Sequence, residues 1–199
     1  MGYVPAMNTL DDMLNAAFDR LAEGAAPGRS AFSMIYAATI GADGRPRTRT
    51  VVMRQFERAP CRIWFNTDLR SPKASEIAAD PRISILAYDQ NAGFQIRIEG
   101  KAVLHKGDGA RAAWDATAER SRVCYRQVEG PSTELERPHS TDPTDEMRSP
   151  EKADWGFENF GAVETIPTSF DVLDLGRSGH RRCRFQAAEG NWNGNWLAP

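Results

Sequence analysis

Asp43-Gly44 lies between two strand-like runs, residues 32–40 and 47–55, and this constrains the fold more than any other feature of the chain. An Asp-Gly pair suits a tight hairpin, because glycine adopts left-handed backbone angles at no steric cost. Strands joined by hairpins need no crossover helix, so the expected pairing is antiparallel. Further strand-like runs fall at residues 61–66, 83–88, 94–105, 157–164, 169–175, 181–186 and 191–197. Many short strands with few helices predict a mainly β fold, an antiparallel β-barrel with flanking helices. The 199 residues are read as a single domain, long enough to bury a substantial core.

Helical signals are fewer. Leu10, Met13, Leu14, Ala17, Phe18 and Leu21 recur at three- and four-residue spacing and share one face. Thr9 is the expected N-cap, Asp11 and Asp12 favour the helix dipole, and Gly24 is the expected stop. Ser71-Pro72-Lys73 opens a short helix over residues 74–79, which Asp80-Pro81 ends. Asp108 is the expected cap of a longer helix reaching about Arg120. Residues 129–153 are polar, with Pro131, Pro138, Pro143 and Pro150 spread through them, and read as a long loop.

Composition removes several function classes. A formal net charge of -2 argues against general nucleic-acid binding. No apolar run approaches the length of a membrane-spanning helix, and the N-terminus lacks signal-peptide organisation. Cys61, Cys124 and Cys183 are widely spaced, as are His105, His139 and His180, so neither a disulfide framework nor a metal site is expected. The reading is a cytoplasmic protein without membrane or nucleic-acid partners. Paired carboxylates at glycosidase spacing, GxSxG, P-loop and GxGxxG motifs are all lacking.

The strongest chemical signal is positive charge beside a helix start. Ser71 and the free N–H groups behind it form an anion site, with Lys73 in the first turn. Arg49 and Arg54 come from a strand able to lie alongside, and together these groups suit a phosphate dianion. Strand alternation puts Arg47, Arg49, Val51 and Met53 on one face and Thr48, Thr50, Val52 and Arg54 on the other. Gln95 offers a donor and an acceptor to a flat heterocycle, though an exposed strand position explains it as well. Arg97 and Glu99 share a face and are placed to pair; Trp192 and Trp196 are read as core.

In this order the segments resemble the pyridoxamine 5′-phosphate oxidase family of FMN-binding split barrels. The resemblance rests on Ala38-Thr39-Ile40-Gly41-Ala42-Asp43-Gly44-Arg45-Pro46, then Arg49-Thr50-Val51-Val52-Met53-Arg54, then Phe65 to Lys73 with Ser71. Glu76-Ile77-Ala78-Ala79-Asp80-Pro81-Arg82, Gln95 to Gly100, and Trp192 to Pro199 continue it. It implies a homodimer with FMN at the interface. Arg49 and Lys73, helped by Ser71 and Thr67, would hold the phosphate. Thr50, Val51, Val52, Met53, Arg54 and Asn66 would lie along the flavin. Gln95 and Arg184 would approach the ring system.

The substrate half departs from the family. Its R-L-H-D-R segment is represented by Arg181-Arg182-Cys183-Arg184, without the histidine. Arg181 is the expected substrate contact there, with Ser121, Arg54 in place of the usual lysine, and Arg120 or Arg122 as a displaced arginine. The resemblance implies an FMN-dependent oxidoreductase that takes hydride from a small substrate, with O2 as a candidate acceptor. It assigns no catalytic side chain. An NAD(P)H-dependent flavin reductase and a non-enzymatic FMN- or haem-binding protein are the alternatives.

Overall fold

The computed structural model describes residues 8–28, 30–137, 153–176 and 179–199. Helix α1 spans Leu10–Ala25, and Thr9 and Asp12 form a reciprocal capping box at its start, worth about 1 kcal/mol. The expected stop at Gly24 is overturned, because the helix continues to Ala25 and Gly24 is buried within it. A Cβ there would lie 2.5 Å from both Phe32 O and Met53 Cε, so glycine serves close packing rather than termination.

Eight strands follow among the described residues: β1 Met34–Ile40, β2 Pro46–Arg58, β3 Cys61–Asp68, β4 Arg82–Asp89, β5 Phe94–Lys106, β6 Phe160–Asp174, β7 Arg181–Ala188 and β8 Asn191–Leu197. Their order is β3-β2-β1-β4-β5-β6-β7-β8, every pairing among them is antiparallel, and β3 also pairs with β6. Strands β1 to β6 therefore close into a six-stranded barrel, and β7-β8 extend one edge. The two expected strands at 157–164 and 169–175 are one continuous β6, whose halves have different partners. Residues 160–165 pair with β3, and residues 169–174 pair with β7. A register shift at Glu99/Gly100 accommodates the bend; a Cβ on Gly100 would meet Ile166 O at 2.3 Å.

Inward-facing Ile35, Ala37, Val51, Met53, Ile63, Phe65, Ile85, Ile96 and Ile98 fill the barrel, while α1 contributes Met13, Phe18 and Leu21 to the same core. Trp192 packs edge-on to Phe170 at 4.8 Å, as core. Trp196 is 45% exposed, against expectation.

Helix α2, Pro72–Ala79, covers one barrel end. The long helix expected after Asp108 is broken into a 3-10 turn at Gly107–Ala110, α3 Arg111–Asp115, α4 Glu119–Arg122 and a second 3-10 turn at Val123–Arg126. Packing decides this. Ala110 and Trp114 bury against Phe160 and Ala162 in a second small core, and a straight helix would carry the following residues away from it. Of the polar loop, residues 138–152 lie outside the described residues. No described helix is long and apolar enough to cross a membrane.

Candidate functional site

Alternation along β2 sends Val51 and Met53 into the barrel and leaves Arg49 half-buried at its end. Arg49 Nη2 donates to Glu76 Oε2 at 2.8 Å, and its Nη1 donates to Thr39 Oγ1 at 2.5 Å. Thr39 Oγ1 in turn donates to Glu76 Oε2 at 2.5 Å. The expected phosphate arginine is thus already held by an acid on α2.

Lys73 differs. Its Nζ donates to Thr67 Oγ1 at 2.6 Å and to Ser71 Oγ at 3.4 Å. It makes no ion pair with a described residue. Burial first, and the nearby Arg49 charge second, push its pKa below the ordinary lysine value. A half-buried ammonium held by hydroxyls is short of negative charge. Ser71 occupies the N-cap position of α2, but its hydroxyl donates to Asp68 O at 2.6 Å instead of capping the helix. Side chains, more than helix N–H groups, make this an anion site.

Arg54 falls at a bulge, since the register moves from Met53↔Phe65 to Gln55↔Trp64. A bulge leaves its extra residue unpaired and re-aims the side chain. Arg54 is exposed and bonds to no described residue. Asn66 Nδ2 donates to Thr117 Oγ1 at 3.0 Å, tying β3 to the broken helical segment.

These groups meet at two neighbouring cavities. A cleft of about 230 Å³ is lined by Met34, Thr50, Val51, Val52, Arg54, Asn66, Lys73 and Tyr125. A larger one of about 450 Å³ shares Val52, Arg54 and Asn66 and adds Met53, Gln55, Trp64, Thr117 and Arg120, with no carboxylate in its lining. Among described residues, no group of metal-ligating side chains is assembled.

Tyr125 and Met34 carried no sequence signal for this role. Tyr125 reaches the cleft because its ring packs on Phe160 at 5.0 Å and Asn159 Nδ2 donates to its carbonyl at 2.9 Å. Burial raises its phenol pKa, so it remains a hydroxyl donor at neutral pH. Arg70 also escaped the sequence reading. It pairs with Asp68 at 2.7 Å and donates to Gln127 O at 2.8 Å, fixing the chain beyond Tyr125.

The two candidate arginines of the helical segment separate cleanly. Arg122 lies 4.9 Å over Trp114 and donates to Trp114 O at 2.9 Å and Thr117 O at 2.9 Å, which makes it structural. Arg120 is exposed and lines the larger cavity. Ser121 sits half-buried in α4 and lines neither cavity.

Neither Gln95 nor Arg184 lines these cavities. Gln95 is on β5, paired with Tyr88 and Leu173. Arg184, on β7, donates to Asp171 Oδ2 at 3.2 Å. Arg181 does not share a face with Arg184. Cys183 and Phe185 point into the core, so alternation places Arg181 on their side and Arg182 beside Arg184. The Arg97–Glu99 pair is not formed; Glu99 accepts from Ser169 Oγ at 3.4 Å.

Comparison with known proteins agrees with this architecture. Residues 13–106 match the family described as pyridoxamine 5′-phosphate oxidase, FMN-binding domain. Pyridoxine/pyridoxamine 5′-phosphate oxidase 2 of Arabidopsis thaliana is 39% identical over 101 residues, covering 47% of this chain and 51% of that protein. The chain thus spans about half the length of that relative. The Bordetella petrii pyridoxine/pyridoxamine 5′-phosphate oxidase is 25% identical over 202 residues, 94% of this chain and 88% of that protein. Among solved structures, a pyridoxamine 5′-phosphate oxidase-related, FMN-binding protein from Nostoc punctiforme superposes with TM-score 0.75 at 22% identity, covering 100% of both chains. PhzG from Burkholderia lata, in complex with tetrahydrophenazine-1-carboxylic acid, gives TM-score 0.73 at 18% identity over 100% of this chain and 98% of that one. At such identities the structural likeness shows the fold.

Proposed function

We propose that this split-barrel chain, whose residues 13–106 match the pyridoxamine 5′-phosphate oxidase FMN-binding domain, is an FMN-dependent oxidoreductase acting on a small anionic substrate. The observation that carries this reading is the pair of adjoining cavities with three cations, Lys73, Arg54 and Arg120, none ion-paired to a described residue. The smaller cleft fits the cofactor's phosphate end: Lys73 lacks an anion, and Thr67 and Ser71 stand within hydrogen-bond distance of it. Arg49 completes the charge from behind, and Thr50, Val51, Val52, Met53 and Asn66 supply the wall. Held there by Lys73, Arg49, Thr67 and Ser71, FMN would supply two-electron redox chemistry, taking a hydride from the substrate and passing two electrons to an acceptor, O2 being the candidate.

The chain's own residues bind and orient. Arg54 lines both cavities and is placed to hold the anionic part of a substrate beside the cofactor, with Arg120 opposite. Tyr125 lines the cleft with its phenol kept protonated by burial. A homodimer is part of the proposal. The outward sheet face beside the cleft exposes Met34 at 50%, Tyr36 at 46%, Val52 at 36% and Tyr88 at 39%. Such an apolar face on adjoining strands suits burial against a second copy. That copy would bring its own Gln95 and Arg184 toward the cleft.

The absorption spectrum of purified protein tests the cofactor. A flavin spectrum that disappears in Arg49→Ala/Lys73→Ala is expected; a colourless protein that takes up no added FMN overturns the reading. Anaerobic bleaching by pyridoxamine 5′-phosphate supports the oxidase assignment. Bleaching by NAD(P)H alone shows the reductase alternative, and binding without bleaching by any donor shows a non-enzymatic carrier.

A further inference from the structure

The smaller cleft holds an amine with no acid of its own. Among the described residues lining it are Lys73, Arg54 and the phenol of Tyr125, and no carboxylate. Lys73 Nζ rests on two hydroxyl oxygens, Thr67 Oγ1 at 2.6 Å and Ser71 Oγ at 3.4 Å, which hold it without neutralising it. The acids closest along the chain are engaged elsewhere: Glu76 is taken by Arg49 at 2.8 Å and Asp68 by Arg70 at 2.7 Å. Burial first, and the Arg49 charge second, favour the uncharged amine at Lys73. A lysine short of water and beside another cation is a setting that makes the amine a nucleophile.

We propose that the Lys73 amine, when no phosphate occupies the cleft, condenses with a small aldehyde bearing a carboxylate, which Arg54 holds. The Nζ lone pair attacks the aldehyde carbon to form a C–N bond, while the carbonyl oxygen takes a proton. Loss of water then leaves a C=N bond, so amine and aldehyde give imine and water without oxidant or reductant. Tyr125 lines the same cleft with its phenol protonated, a donor for the carbonyl oxygen. Two features favour the product. An imine nitrogen is far less basic than an amine, so condensation removes the ammonium charge that stands near Arg49. The carboxylate brings the anion the cleft lacks, and Arg54, exposed and bonded to no described residue, is there to receive it. A volume of about 230 Å³ suits an aldehyde of two or three carbons. Competition between this aldehyde and FMN rests on the phosphate placement proposed above; the condensation itself does not.

The test treats the full chain, freed of flavin, with glyoxylate and cyanoborohydride. The hydride donor reduces any imine to a stable secondary amine, and peptide mass spectrometry locates the labelled lysines. Lys101, exposed on β5, is the reference amine in the same sample. Lys73 is expected to label at least about tenfold faster than Lys101, the worth of one charge-assisted hydrogen bond to the carboxylate. Acetaldehyde, with the same carbonyl and no carboxylate, should lose that excess, and so should glyoxylate with Arg54→Ala. Labelling of Lys73 no faster than of Lys101 overturns the proposal. So does a Lys73 to Lys101 ratio that is the same for both aldehydes or unchanged in Arg54→Ala. FMN is expected to protect Lys73, and riboflavin, which lacks the phosphate, is not. Glyoxylate-selective labelling that FMN leaves untouched overturns the phosphate placement and leaves the condensation standing.

Discussion

Arg49 and Glu76 form an ion pair at 2.8 Å across the end of the barrel, with only 25% and 9% of their side chains exposed. The acid comes from α2, the same helix that carries Lys73, so the helix that brings a cation to the cleft also anchors the cation behind it. A partly buried pair of this kind stabilises little in total, but removing one partner leaves an uncompensated charge.

Glu76→Ala is therefore expected to lower stability by about 2–3 kcal/mol, because Arg49 remains half-buried without its acid. Urea unfolding measures this. Adding FMN should recover part of the loss, since its phosphate replaces the missing anion; riboflavin, which lacks the phosphate, should not.

Lys73 gives a pH dependence with a defined sign. Burial and Arg49 lower its folded-state pKa, so the folded protein without FMN binds fewer protons than the unfolded chain between that value and the ordinary lysine value. Stability then rises with pH across that window. FMN affinity moves the other way, because the phosphate needs Lys73 protonated. FMN titrations should weaken as pH climbs through the window, with riboflavin titrations flat. Lys73→Met should abolish the difference.

Gly24→Ala is expected to cost about 1–3 kcal/mol and to narrow the larger cavity. The new methyl would sit 2.5 Å from Phe32 O, a backbone atom with little room to yield. Thermal unfolding reads the first effect, and the affinity of an anionic substrate reads the second.

The three cysteines should react at very different rates. Burial pushes Cys61 and Cys183 up to about 12, so neither forms thiolate at neutral pH. Cys124 is exposed. One fast-reacting thiol in the native protein and three after unfolding are expected with a disulfide reagent. A second fast thiol would show that the sheet carrying Cys61 or Cys183 opens readily.

Asp171 adds an acid limb. Burial alone would raise its pKa, but the bonds from Arg182 and Arg184 outweigh that and lower it. Its stabilising contribution is complete above the ordinary aspartate value and is lost as pH falls through the lower folded value. Arg182→Gln should move the start of acid unfolding to higher pH in a fluorescence titration.

Local sequence determined much of this protein. The Asp43-Gly44 turn, the alternation of Val51 and Met53 against Thr50 and Val52, and the Thr9 cap are short-range matters. Backbone sterics and a two- or four-residue period settle them before any distant contact forms. The closeness of Lys73 and Ser71 was legible for the same reason, since they share one helix start, whereas Thr67 came only with the family resemblance. Only the tertiary structure decided the rest. It showed Arg54 re-aimed by a bulge, Arg49 claimed by Glu76, Tyr125 brought to the cleft by Phe160 and Trp114, and Arg182 outward where Arg181 faces the other way. Each outcome depends on which strand or helix packs against which. Charge and burial at a residue are set by neighbours remote in the chain, so a reading along the chain sees the residue but not its partner.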